Sequence, residues 1–228
     1  MFTSVIIPAA GFGERMGSAI GKQFLSLDGK PIIVHTIGQF QRAAVIDEIV
    51  VVTREESFSL LEKIIAEFGL TKVRPLVQGG ARRQDSVANG LLALDSRCDI
   101  VLVHDAVRPF IAQATIAQAV DAAKFFGAAI VAVRAKDTIK QAGTDGRVER
   151  TLDRSFLWNV QTPQAFQRTV LADAYARAAA EHVAATDDSS LVERLGIAPV
   201  IVEGSYENIK ITTPEDLLIG ELLAKRYQ

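Results

Sequence analysis

The chain is poor in the residues that carry several common chemistries. It has one cysteine, Cys98, so no internal disulfide forms and the composition fits a reducing compartment. Three histidines (His35, His104, His182) and that one thiol do not make a structural zinc site of the usual spacing. No apolar run approaches the ~20 residues needed to span a bilayer. The N-terminus enters a strand pattern with no basic segment ahead of it, which predicts no secretory signal and a cytoplasmic location with no membrane attachment. Neither sign of charge dominates. The 25 Lys and Arg against 27 Asp and Glu leave a net charge of −2, with no basic excess for a nucleic-acid backbone, so DNA and RNA are not expected as partners. There is no internal repeat, low-complexity tract or evident linker.

Apolar material is abundant. Of the 228 residues 49% are hydrophobic and the mean hydropathy is +0.20, enough for one large core. Short β-branched runs at 3–7, 48–53, 73–78, 99–104, 128–134 and 199–203 alternate with helical patterns at 31–43, 56–68, 82–94, 115–126, 169–182, 189–195 and 214–227. This order predicts an α/β fold with a mainly parallel sheet flanked by helices. Several runs are apolar throughout, as expected when helices cover both faces. The last helix has a marked start: Thr213 at the N-cap, Pro214 at the first position, Glu215 and Asp216 in the first turn. Between about 136 and 161 the polar content rises, and Asp145-Gly146 separates two extended runs, 138–141 and 147–152. That is a hairpin signal. A two-stranded ribbon is marginal alone, so it needs a surface to lie on, either its own domain or a second subunit. The expectation is a single domain over 1–228 with a hairpin arm at about 136–161.

In parallel α/β sheets ligands bind beyond the carboxyl ends of the strands. The first strand opens into Pro8, Ala9, Ala10 and Gly11, with Gly13, Arg15, Gly17 and Lys22 behind. Small residues let backbone N–H groups approach a phosphate chain, and Arg15 and Lys22 add charge. The dinucleotide fingerprint does not fit, because Met16 stands where its third glycine belongs. The Walker pattern does not fit either, because three residues separate Gly17 from Gly21 and Gln23 follows Lys22. An ordinary glycine-rich turn with surface cations is the competing reading. Further along, Gly79-Gly80 either brings backbone to a flat ligand such as a base or makes a plain turn. Ser86 either bonds a ligand or serves the helix start. Asp105 holds a divalent cation or a ribose hydroxyl, or caps a turn. Arg108 clamps a phosphate or pairs with Asp105, while His104 reads as a strand-end residue. Lys210, between Ile209 and Ile211, points away from an apolar layer. No Ser–His–Asp or Cys–His set stands out, nor any general base. A phosphate monoester nucleophile would need none, since its second pKa is near ~6. It would need cations to bring two anions together, as Arg15, Lys22, Arg108, Arg154 and Lys210 could do.

Taken in order, these clusters closely resemble the 2-C-methyl-D-erythritol 4-phosphate cytidylyltransferases of the non-mevalonate isoprenoid pathway. The resemblance runs through Pro8 to Met16, Lys22 to Leu25, Gly79-Gly80 with Arg83 and Ser86-Val87, and Val103 to Pro109. It continues through Asp137-Thr138, Leu157-Trp158, Gln161 to Gln164, Thr186 to Asp188, and Asn208 to Thr212 with Pro214 to Asp216. The first motif alone marks only the wider sugar-nucleotidyltransferase group. The resemblance implies a Mg²⁺-dependent reaction of CTP with methylerythritol phosphate, in line at the α-phosphorus, releasing pyrophosphate. It places Arg15 and Lys22 at the transition state, and Arg154 and Lys210 on the substrate phosphate. Ala9, Ala10, Gly11, Gly80 and Ser86 form the nucleotide cradle. Asp105 and Arg108 lie at the ribose, metal and polyol, and Thr138 and Thr162 make further substrate contacts. It also implies a homodimer clasped by the arms, so that Arg154 and Thr138 act in the partner's site. Ala81 departs from relatives that carry an acidic residue near the cytosine, which leaves base selection to backbone groups around Gly79 and Gly80. A cytidylyltransferase for another polyol phosphate, such as ribitol 5-phosphate, is the nearest alternative. A uridylyl- or adenylyltransferase for sugar phosphates and a non-catalytic nucleotide-binding regulator are more distant ones.

Overall fold

The run from Thr3 to Ile7 is buried along its whole length because helices cover both of its faces. Val5 and Ile7 join one core layer and Ile6 the other, which is the period-two alternation of a strand. The computed structural model describes residues 1–11, 21–74 and 76–226, and this run forms most of β1 (Phe2–Pro8). There follow β2 (Ser26–Leu27), β3 (Lys30–Pro31), α1 (Ile32–Arg42), β4 (Glu48–Thr53), α2 (Phe58–Glu67), β5 (Val77–Gln78) and α3 (Arg83–Leu92). Next come β6 (Cys98–Val103), α4 (Gln113–Phe126), β7 (Ala128–Arg134), β8 (Lys140–Ala142) and β9 (Val148–Thr151). The chain closes with β10 (Trp158–Gln167), α5 (Arg168–Ala180), α6 (Asp188–Glu193), β11 (Val200–Glu203) and α7 (Pro214–Ala224).

Seven strands form one sheet in the order β11-β7-β10-β6-β1-β4-β5. Every pairing is parallel except those of β10, which runs antiparallel to both β6 and β7. One face packs on α1, α2 and α4 through residues such as Ile37, Leu61 and Val120. The other packs on α3, α5 and α6 through Val87, Leu171 and Leu191. A smaller apolar cluster ties the β2–β3 hairpin to α7 through Leu27, Ile211 and Ala224. No helix among the described residues is long and apolar enough to cross a membrane.

The predicted strands at 48–53 and 128–134 coincide with β4 and β7. The run at 73–78 shortens to β5, with one isolated bridge from Val73 to Ile49 upstream. Pro75, which has no N–H to offer a ladder, stands between them in sequence and lies outside the described residues. β10 lies where the sequence pattern predicts no strand, and the arm boundary expected at 161 falls inside it. The polar run of Gln161, Thr162 and Gln164 around Pro163 hides a central strand whose residues from Gln161 to Phe166 are all buried. The hairpin itself forms as expected: β8 pairs with β9, and Gly146 takes φ +77° in the turn. Its strands are exposed at every position, so it does not lie on its own domain.

Candidate active site

At the carboxyl edge of the parallel strands the loops after β1, β5 and β6 surround a cavity of about 220 Å³. Among the residues singled out from sequence, Ala9, Ala10, Gly11, Lys22, Gly80, Ser86, Asp105 and Lys210 line it. Arg108, Thr138, Arg154 and Thr162 are not among the lining residues. Arg15 lies outside the described residues.

The loop after β1 is fixed through the backbone of Ala9. Its N–H donates to the Val52 carbonyl at 2.7 Å. Its carbonyl accepts from Gln23 Nε2 at 2.7 Å and from Thr53 Oγ1 at 3.3 Å. Gln23 is buried and sits beside Lys22 in a short 3₁₀ turn, so the bond that holds the loop also holds the lysine next to it. The loop after β5 packs directly on this one. A Cβ at Gly79 would stand 2.6 Å from Ala10 Cβ and 3.1 Å from Ser86 Oγ, and one at Gly80 would collide with Asp85 Cβ. Ser86 Oγ accepts from the Gly80 N–H and donates to the Arg82 carbonyl, both at 3.1 Å. Glycine is therefore required here by the protein's own packing.

Asp105 is the charged centre of the floor. Its Oδ2 pairs with Lys210 Nζ at 3.0 Å and Arg108 Nε at 3.3 Å, and its Oδ1 lies 3.7 Å from Arg83 Nε. Burial alone would raise its pKa, but Lys210, Arg83 and Arg108 outweigh that and hold it well below the usual carboxylate range. Arg108 also donates to the Asn208 carbonyl at 2.8 Å, so its guanidinium ties Asp105 to the β11–α7 connection. Arg83 turns its other end to Asp188, with Nη2 to Oδ2 at 2.8 Å. Asp188 is 1% exposed and accepts a second bond on Oδ1 from the Tyr175 hydroxyl at 2.6 Å.

β10 supports the same floor from behind. Its register against β7 shifts between Val160 and Gln164, leaving residues 161–163 as a bulge. Bulges re-aim side chains beside functional sites, and Pro163 suits a position with no ladder donor. Thr162 Oγ1 accepts from the Asp105 N–H at 3.1 Å and lies 3.1 Å from His104 Nδ1. His104 Nε2 lies 3.0 Å from the Arg108 carbonyl, which can only accept, so Nε2 carries the proton and Thr162 donates to Nδ1. His104 is fully buried against Phe40, ring centroids 4.8 Å apart, and burial lowers its pKa to about 4. It is a neutral brace, as a strand-end residue would be. Asn208 Nδ2 donates to Gln161 Oε1 and the Thr162 carbonyl at 3.0 and 2.9 Å, tying the β11–α7 connection that carries Lys210 to the bulge.

Arg154 and Thr138 sit exposed at the root of the hairpin, where Arg154 Nη1 donates to the Lys136 carbonyl at 2.6 Å. Around them Arg134 stacks over Trp158 at 4.5 Å and Lys136 over Tyr206 at 3.3 Å.

Lys22, Arg82, Arg83 and Lys210 line the cavity with Asp105, and just outside the lining Asp85 pairs with Arg82 and Asp188 with Arg83, both at 2.8 Å. No histidine, cysteine, glutamate or tyrosine is among the described residues that line it. Such a site gathers anions and offers no free base, and its Ser86 hydroxyl is engaged with Gly80 and Arg82. Sequence reading assigned no role to Gln23, Arg83, Tyr175, Asp188 or Asn208. All but Tyr175 lie within the motifs quoted above, which was the available signal, but their partners lie far along the chain.

The comparisons with known proteins cover nearly the whole chain. A family model described as IspD, 2-C-methyl-D-erythritol 4-phosphate cytidylyltransferase, matches residues 3–226. The protein of that name from Syntrophotalea carbinolica is 50% identical over 223 residues, covering 97% of this chain and 95% of its own. The crystal structure of a 4-diphosphocytidyl-2C-methyl-D-erythritol synthase from Anaerococcus prevotii superposes with a TM-score of 0.89 at 33% identity, over 99% of this chain and 96% of that one. The 2-C-methyl-D-erythritol 4-phosphate cytidylyltransferase of Thermus thermophilus gives 0.79 at 34% identity, over 99% and 100%.

Proposed function

Because the chain belongs to the 2-C-methyl-D-erythritol 4-phosphate cytidylyltransferase family, we propose that the cavity at the strand ends is where it joins CMP to its second substrate. The protein is a nucleotidyltransferase of non-mevalonate isoprenoid synthesis: it transfers CMP from CTP to 2-C-methyl-D-erythritol 4-phosphate. A phosphate oxygen of the polyol phosphate attacks the α-phosphorus of CTP. The bond from the α-phosphorus to the bridging oxygen breaks, and pyrophosphate leaves with its electron pair. The observation that carries the assignment of the site is its charge: Lys22 and Lys210 line it beside one carboxylate, Asp105, while Arg82 and Arg83 have their guanidinium groups on Asp85 and Asp188, and no base is among the lining residues. The attacking phosphate is largely ionised at neutral pH, so the protein has only to align two anions and offset the charge that grows between them.

On this reading Lys22, with Arg15, faces the triphosphate and the transition state. The Ala9–Gly11 and Gly80–Ser86 loops cradle the nucleoside, and backbone groups around Gly79 and Gly80 select the base. Lys210 holds the incoming phosphate. Asp105 takes ribose or polyol hydroxyls, held in place by Arg108 and by the Thr162 hydroxyl behind it. A divalent cation fits this donor set only in company with the triphosphate. Among the described residues no three His, Cys, Asp or Glu side chains gather, and Asp105, which would hold it, already faces three cations. When bound, the ion supplies positive charge to phosphate oxygens. The exposed hairpin, with Arg154 and Thr138 at its root, is the arm of a homodimer and completes the partner's site. The lone Cys98, free and buried, supports a reducing cytoplasmic setting for this single-domain enzyme. The test is pyrophosphate release with Mg²⁺, pairing CTP, UTP and ATP with methylerythritol 4-phosphate and with ribitol 5-phosphate. Release is expected only from CTP with methylerythritol phosphate, and release from CTP with ribitol phosphate instead would overturn the substrate.

A further inference from the structure

Arg83 stands between two buried carboxylates and bonds closely to only one. Its Nη2 is 2.8 Å from Asp188 Oδ2, while its Nε is 3.7 Å from Asp105 Oδ1. Asp188 cannot turn away. It is in the first turn of α6, where its own N–H and that of Ser189 donate to Gln164 Oε1 at 3.1 and 3.0 Å. Gln164 in turn donates to the N-cap Asp187 at 2.7 Å, and Tyr175 holds the second oxygen of Asp188. A guanidinium is a rigid fork that prefers to grip one carboxylate with two N–H groups. Without Asp188 the nearest carboxylate for Arg83 is Asp105, and such a grip would compete with Lys210 for it.

We propose that Asp188, braced by Tyr175, is a positioning residue for the transfer reaction: it draws Arg83 off Asp105 and so leaves that carboxylate to Lys210 and to the ligand. This rests on the assignment of the cavity as the transfer site. The geometry gives Asp105 one oxygen committed to Lys210 and Arg108 and another turned toward Arg83 at a distance too long for a hydrogen bond. That second oxygen is the one available to a hydroxyl of ribose or polyol.

The experiment compares wild type, Asp188→Asn, Tyr175→Phe and the paired variant Arg83→Gln with Asp188→Asn. For each, kcat and KM for both substrates are measured together with thermal stability, and wild-type turnover of CTP with methylerythritol phosphate first establishes the site assignment independently. Asp188→Asn is expected to lower kcat/KM about tenfold, the size of coupling seen between residues in one ion-pair network. Tyr175→Phe is expected to lower it less and in the same direction. The paired variant should recover most of the loss, because the charge that Asp188 restrains is gone. Recovery in the pair, whatever its melting temperature, supports the proposal. A pair no better than Asp188→Asn, or single variants that melt earlier with unchanged kinetic constants, overturns it. Should Asp188→Asn not fold, unchanged kinetics in Tyr175→Phe would overturn it and a few-fold loss would support it.

Discussion

A buried imidazole shows how one residue couples the site to the acid stability of the molecule. His104 is neutral in the fold, its pKa lowered from the ordinary 6.5 to about 4 by burial, outweighing the bond to the Arg108 carbonyl. The unfolded chain therefore takes up a proton near pH 6.5 that the folded chain refuses until about pH 4. The sign is unambiguous: His104's share of stability falls as pH drops across that window and is flat below it. The whole effect is about 3 kcal/mol at 1.36 kcal/mol for each pH unit between 6.5 and 4. Urea titrations across the window should show this slope, and His104→Gln should flatten it. His35, also lowered chiefly by burial, acts in the same direction, so the slope shrinks and does not vanish. Asp105, held below its ordinary 3.8 against the effect of burial by Lys210, Arg83 and Arg108, withdraws its own contribution only at more acid pH. At this scale the cations Lys22 and Lys210 were legible, because charge beside a strand-end loop has little structural reason to be there. The pair Gly79-Gly80 was legible as a close approach but not as to what approaches, since Ala10 lies far away in the chain. Gly79→Ala would press its new methyl on Ala10, and overpacking of this kind costs about 1–3 kcal/mol. The two loops should part, with a higher KM for CTP and a lower melting temperature. An unchanged KM would show that the cradle tolerates the shift.

Among the elements, the start of α7 was legible to the residue and β10 was not. The start of α7 is local chemistry: Thr213 Oγ1 accepts from the Asp216 N–H at 3.3 Å and Asp216 Oδ2 accepts from the Thr213 N–H at 2.9 Å. Four consecutive residues contain all of it. The hairpin of β8 and β9 is local in the same way, through Asp145-Gly146. β10 has neither alternation nor an apolar run, because the bulge at 161–163 puts polar side chains inside, where distant groups satisfy them: Gln161 by Ser205 and Asn208, Thr162 by His104 and Asp105, Gln164 by Asp187 and the first turn of α6. Thr162→Val keeps the volume and removes the hydroxyl, leaving the Asp105 N–H and His104 Nδ1 without their partner. Each orphaned buried group costs about 1–3 kcal/mol. Unfolding free energy should drop by roughly that sum and kcat/KM should fall with it, while Thr162→Ser retains both. A stable Thr162→Val protein would show that water replaces the hydroxyl.

In the whole molecule, the parallel sheet with helices on both faces followed from composition and strand order, whereas the insertion of β10 between β6 and β7 did not, since nothing local dictates strand neighbours. The same topology bears on assembly. Arg154 and Thr138 do not line the chain's own cavity, and in the proposed dimer they complete the partner's site, so two inactive proteins should complement each other. Mixing Arg154→Ala with Lys22→Ala subunits places one intact site in each mixed dimer and should restore roughly a quarter of wild-type activity if subunits pair at random in a closed dimer. No recovery after verified exchange would mean that each site is built from one chain. The direction of β10 has one more effect. Because it runs against β7, Trp158 at its entry pairs with Arg134 at the exit of β7, so the two ends of the arm stand a single strand spacing apart, ~5 Å. To the sheet, the whole excursion is a long hairpin loop, and a tight turn would close the same gap. The length and shape of the arm can therefore drift from one descendant to another while the sheet and its cavity stay as they are. In the proposed dimer, how two copies meet is inherited separately from how each one folds.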